Sequence, residues 1–147
     1  MTDQPQEPWL FATGSRGGVP MLCRLRTEAP TDAERAQFPL LVLIQWDFEP
    51  DDDAMPDEAT LASMTAFEDA LDTGMRGDDW GRLVAVVTSG GEREWRIYTA
   101  DFERFQEGIN DALNGQPRLP LAFETFEDTE WQAYAEIATA LIPRGRA

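Results

Sequence analysis

The segment Val87–Thr99, VTSGGEREWRIYT, restricts the fold of this chain more than any other. Two runs of alternating character meet at Gly90-Gly91. A glycine pair between such runs marks a two-residue hairpin turn, because the turn needs positive φ and glycine reaches it without a Cβ clash. The strands are then Arg82–Thr88 and Glu92–Thr99. Register about the turn sets Val86 opposite Trp95 and Val84 opposite Ile97, which makes these four the buried face. Ala85, Val87, Glu94, Arg96 and Tyr98 take the other face, since successive side chains of a strand point oppositely.

A helical run flanks the hairpin on each side. Upstream, Pro56 suits the first turn of a helix, and Asp57 and Glu58 lie at its positive dipole end. That helix is expected to reach about Thr73, with Leu61, Met64, Phe67 (or Glu68) and Leu71 inward, and to end at Gly74 and Gly77. Downstream, Asp101–Leu113 places Phe102, Phe105, Ile109 and Leu113 on one face, with Thr99 or Asp101 as its cap and Asn114-Gly115 as its stop. Phe38–Phe48, FPLLVLIQWDF, is apolar on both faces in its first half and reads as a central strand. Leu40, Val42, Ile44 and Trp46 share one of its faces; Leu41, Leu43, Gln45 and Asp47 share the other. Leu119–Phe126 reads as the last strand. From Phe38 to Phe126 the order is βαββαβ, the split βαβ of ferredoxin-like folds.

Two additions complete the expected architecture. Trp9–Thr13 and Val19–Thr27, joined through Ser15-Arg16-Gly17-Gly18, form an N-terminal hairpin with Val19, Met21, Cys23 and Leu25 on its buried face. A C-terminal helix, opened by a capping box at Thr129 and Gln132, runs to about Leu141 with Trp131, Tyr134, Ile137, Ala138 and Leu141 inward. It is expected to join the helical layer. Ala29–Gln37 is a loop or short helix, and PRGRA a frayed tail. The fold class is therefore α+β, a ferredoxin-like split βαβ sandwich with an added N-terminal β-hairpin and a C-terminal helix. One domain is expected over residues 1–147, with an ordered core of about 8–142.

Several pieces of the chain together resemble the bacterial domain-of-unknown-function 695 family. They are GGEREWRIYTADFERF, the Ile44-Gln45-Trp46 strand, Met55-Pro56 ahead of a helix bearing Phe67-Glu68-Asp69-Ala70-Leu71, and the closing Asp128-Thr129-Glu130-Trp131. The likeness runs from about Trp9 to Leu141, and the hairpin followed by Tyr98-Thr99-Ala100-Asp101 is its most specific part. The family implies no established activity. In architecture alone the layout is also similar to inhibitors of the bacterial endoribonuclease RNase E, which are acidic, ferredoxin-like protein binders; no residue motif is shared.

Residue types narrow the chemistry. The chain has no histidine, which removes the usual general base near neutral pH and the commonest transition-metal ligand. Ser-His-Asp and Cys-His catalysis and a Cys/His zinc site are excluded within the chain, and no recognised catalytic motif is present. No cofactor is expected. Cys23 is the single cysteine, so an intrachain disulfide is excluded and a reducing cytoplasm is the expected setting. No signal peptide and no transmembrane run is read from the chain. A formal charge of −16 repels nucleic acids and anionic membranes and favours cationic partners. Residues 49–58, EPDDDAMPDE, gather six carboxylates. Their spacing fails the calcium-loop pattern because Pro56 stands where glycine is needed. A solvated loop leading into a helix is the reading adopted.

Alternation also places Arg24, Arg26 and Arg96 with Gln45, Asp47, Glu94 and Tyr98 on the sheet face away from the helices. These seven are the candidate binding residues, because arginine and tyrosine are enriched at interfaces. The expected role is a non-catalytic cytoplasmic protein-binding or regulatory module, its partner another protein or a second copy of itself in a homodimer. The alternative is a small-ligand-binding protein or enzyme using arginine and carboxylates on that open face. A deep pocket beside these residues would favour the alternative.

Overall fold

The computed structural model describes residues 9–50 and 55–141. The middle of the acidic loop and the C-terminal tail expected to fray lie outside them. Six strands, β1 (Trp9–Arg16), β2 (Val19–Arg26), β3 (Leu40–Asp47), β4 (Arg82–Ser89), β5 (Glu92–Thr99) and β6 (Leu121–Glu127), form one sheet in the order β1-β2-β4-β5-β3-β6. Every neighbouring pair is antiparallel. The four strands β4-β5-β3-β6 interleave two βαβ halves as the sequence predicts, and the N-terminal hairpin extends the sheet beyond β4. Both hairpins turn through glycine pairs at positive φ, Gly17-Gly18 and Gly90-Gly91.

Helices α2 (Glu58–Asp78) and α3 (Phe102–Ala112) cover one face of the sheet. Met64, Phe67, Leu71 and Met75 of α2 and Phe105 and Ile109 of α3 meet Val42, Ile44, Trp46, Val86, Trp95 and Ile97. Trp95 is fully buried and lies edge-on to Phe67 at 4.9 Å. The Asp57 carboxylate caps α2 by accepting from the Thr60 N–H at 2.7 Å. This hydrogen bond holds the exposed Asp57 carboxyl below its ordinary range. Asp101 caps α3 in the same way.

Four expectations are corrected. Helix α2 passes through Gly74 and Gly77 and ends at Asp79, which adopts the left-handed conformation. Gly77 faces open space, but Gly74 serves close approach: a Cβ on it would stand 3.1 Å from the Trp80 ring, and one on Gly108 of α3 only 2.3 Å from it. Trp80, whose place between Asp79 and Gly81 suggests half exposure, is thus clamped between the two helices and only 3 % exposed. A β-bulge between Leu83 and Ala85 sets Leu83, not Val84, opposite Ile97. The most consequential difference is the C-terminal helix α4 (Gln132–Leu141), which packs on the opposite face of the sheet, so that the sheet lies between two layers. Phe38, at the end of the short helix α1 (Asp32–Gln37), joins this second core.

Two details explain the placement of α4. Trp131 precedes the helix with φ at 54°, stacks flat on Tyr98 with centroids 4.1 Å apart, and donates its indole N–H to the Phe38 carbonyl at 2.8 Å. Asp128, rather than Thr129, is the cap: its carboxylate accepts from the Gln132 N–H at 2.8 Å and the Ala133 N–H at 3.0 Å. Cys23, Leu25, Leu41, Ala85 and Val87 complete the layer beneath Tyr134. Among the described residues, no helix is long and apolar enough to cross a membrane.

Candidate functional site

The structure divides the seven residues that alternation had grouped. Arg24 lies on the α2 side, because it stands opposite Val86 in the ladder, and its Nη2 donates to Glu68 Oε2 of α2. Glu68 Oε1 accepts from the Trp95 indole at 3.1 Å, and the Arg24 guanidinium sits over the Trp9 ring. Cys23 and Leu25 of β2 were rightly read as buried, but they are buried against α4, and Val19 of the same set is exposed. That reversal carries Arg24 to the other face.

Arg26, at the end of β2, grips Glu34 of α1 through two hydrogen bonds of 2.9 Å and lies over the Trp131 ring. Arg82 reaches the same carboxylate at 3.3 Å. The Arg26 hydrogen bonds, helped by the charge of Arg82, hold the Glu34 carboxyl below its ordinary range against the opposing effect of burial.

Tyr98 is fully buried and donates its hydroxyl to Asp128 Oδ2 at 2.6 Å. Burial first, then the Asp128 carboxylate, pushes the phenol well above its ordinary range. It is a structural hydroxyl joining β5 to the start of α4. Arg96 pairs with Glu94 at 2.7 Å and donates to the Ala133 carbonyl of α4 at 2.9 Å. Gln45, Asp47 and Glu94 remain at the uncovered corner of this face, where the Gln45 amide donates to Asp47 at 3.2 Å. The depression beside Glu94 and Arg96 holds about 60 Å³. Small-ligand sites typically enclose about 300–1,000 Å³.

A different surface stands out once α4 is in place. β6 is the last strand of the sheet, and nothing among the described residues pairs with its outer edge. From Ala122 to Glu127 every residue is exposed. Phe123 and Phe126 are each 46 % exposed, and their pairing with Ile44 and Leu41 puts them on opposite faces.

A groove of about 300 Å³ runs along the α3 side of β6, formed by Val42, Phe102, Phe105, Ile109, Phe123 and Thr125, with Gln106 and Asn110 at its rim. A second groove of about 310 Å³ runs along the α4 side, between Leu41, Leu43 and Phe126 on the sheet and Gln132, Ala133 and Glu136 on the helix. The first is apolar and carries no charged side chain. The second carries Asp128 and Glu136 against Arg96, whose charge is already engaged by Glu94, while Glu127 borders it but pairs with Leu40 and so faces the α3 side.

Sequence reasoning missed this edge although two signals were present. A ferredoxin-like order leaves the final strand outermost. Phe123 and Phe126 are three residues apart, so alternation must expose one of them on each face. Among the described residues, no group of three metal-ligating side chains is assembled.

A family described only as a family of unknown function (DUF695) matches residues 7–137. No curated protein matches the chain.

Proposed function

We propose a function from geometry, since the chain belongs to the DUF695 family and that family's description assigns no activity. The protein is a non-catalytic, cytoplasmic protein-binding module, and it binds through the β6 edge rather than an open sheet face. The carrying observation is the pair Phe123 and Phe126, nearly half exposed on an unpaired strand with a groove on either side. A long edge strand exposing apolar side chains is a template for another chain, and proteins ordinarily blunt such edges with proline, lysine or a bulge. Within β6 none of these is present.

Three observations support this reading over its rivals. The polar groups that might have served a reaction are engaged structurally: Tyr98 and Asp128 with each other and α4, Arg96 with Glu94 and α4, Arg24 with Glu68. The depression between Glu94 and Arg96 is too small for an ordinary ligand, and the larger groove on the other side of Arg96 is open rather than enclosed. Helix α4 also occupies much of the face on which two sheets would close into a homodimer. The unbridged Cys23 thiol, buried in the second core, suits a reducing compartment.

Photo-cross-linking side chains introduced in cells at positions 123 and 126, with positions 11 and 61 as exposed controls, test the assignment. The expected result is one protein adduct shared by 123 and 126 and absent from both controls. Adducts from the controls but not from β6 would place the binding surface elsewhere.

A further inference from the structure

We infer that the β6 edge takes an extended segment as a seventh strand, and that this segment alternates apolar residues with arginine or lysine. The inference rests on the edge being the binding surface and adds the chemistry of its occupant. A strand added to an edge gains main-chain hydrogen bonds, and its alternate side chains enter whatever lies above and below the sheet. Here the two sides differ. Above, the added side chains meet the uncharged groove beside Phe123 and Ile109. Below, they meet the groove that Glu136 makes acidic, with Glu124 facing the same side through its pairing with Leu43.

A strand with apolar residues on one face and cationic residues on the other satisfies both grooves at once. A second copy of this chain does not. Two β6 strands paired antiparallel about their centre would confront Glu124 with its own counterpart, between molecules that each carry a formal charge of −16. Like charges across neighbouring strands are destabilising.

Fluorescence anisotropy with labelled heptapeptides tests the inference on the intact chain. The probes are VRVRVRV, VEVEVEV and a scramble of the first with unchanged composition. The expected result is at least tenfold tighter binding of VRVRVRV than of either other peptide. N-methylation of one alternate set of its backbone amides should abolish binding, and methylation of the other set should leave it intact.

Attraction to an acidic protein in general is separated by Glu124→Arg combined with Glu136→Arg. This change leaves the chain strongly negative but reverses the lower groove, so the preference should invert toward VEVEVEV. Retention of the VRVRVRV preference by that variant, or indifference to both methylation patterns, overturns strand addition. So does concentration-dependent dimerisation of the unmodified chain that Phe123→Arg abolishes, which would make a second copy the occupant. If β6 cross-links a partner in cells while all three peptides bind equally weakly, the edge remains the binding surface and the alternating cationic strand is wrong.

Discussion

Glu34 shows how single residues hold the end of this fold together. Its carboxylate receives two hydrogen bonds from Arg26 of β2 and a further contact from Arg82 of β4, so it ties α1 to two strands. Its side chain is 19 % exposed, shielded enough for the pairing to count. Its folded-state pKa is lowered, so its stabilisation is fully present above the unfolded value near 4.5 and is lost as pH falls through the folded value. Glu34→Gln should therefore lower stability by about 2 kcal/mol at pH 7, the scale of hydrogen bonds to a charged group. The difference from the unmodified protein should shrink below pH 4. Urea unfolding at both pH values measures it, and an equal loss at each would show that the carboxylate charge is not what matters. Gly108 makes a different point at the same scale. Glycine ordinarily weakens a helix interior, yet here its missing side chain is what admits the Trp80 ring.

At the scale of elements, α4 is held by a small coupled set. Asp128 caps its first turn and accepts the Tyr98 hydroxyl, while Trp131 stacks on the same tyrosine. Asp128→Ala removes a helix cap, which costs about 1–2 kcal/mol, and leaves the buried Tyr98 hydroxyl without its acceptor. Tyr98→Phe removes only the hydroxyl. Because both changes break one interaction, the double variant should be more stable than the sum of the single losses predicts, by about 1 kcal/mol. Thermal unfolding of the four proteins of that cycle measures this, and strict additivity would show that the two groups do not act together. Much of each element was legible in the sequence: the alternation of β3, the register of Val86 with Trp95, the Asp101 cap. The side on which α4 packs was not, because an amphipathic helix declares that it has an apolar face but not which sheet face it will cover. The clue lay in the sheet. Leu41, Leu43, Ala85 and Val87 make the second face of the central strands apolar, and such a face asks for cover of its own.

For the whole molecule, the closing of both sheet faces decides where binding can occur. Parity in β2 was referred to the wrong core, so Arg24 joined Arg96 in the sequence reading and not in space. Tyr98, attractive as an interface residue by type, became part of the second core once Trp131 lay on it. Exposed phenylalanines stand where alternation alone could not find them, at the two ends of the strand order, Phe11 on β1 and Phe123 and Phe126 on β6, since edge position is a property of topology rather than of any local pattern. Glu124 and Glu136 on the α4 side and the uncharged groove on the α3 side then give that edge two unlike flanks.

The claim that both faces are covered and the β6 edge is open is tested most directly by amide hydrogen exchange on the isolated chain. The account predicts alternation within residues 121–127: amides bonded to β3 exchange slowly, and those on the outer edge exchange at rates near those of exposed loops, while β3 and β5 are protected throughout. Uniform protection of β6, matching β3 at every residue and unchanged on dilution, would contradict it, because the edge would then already be covered by the chain itself.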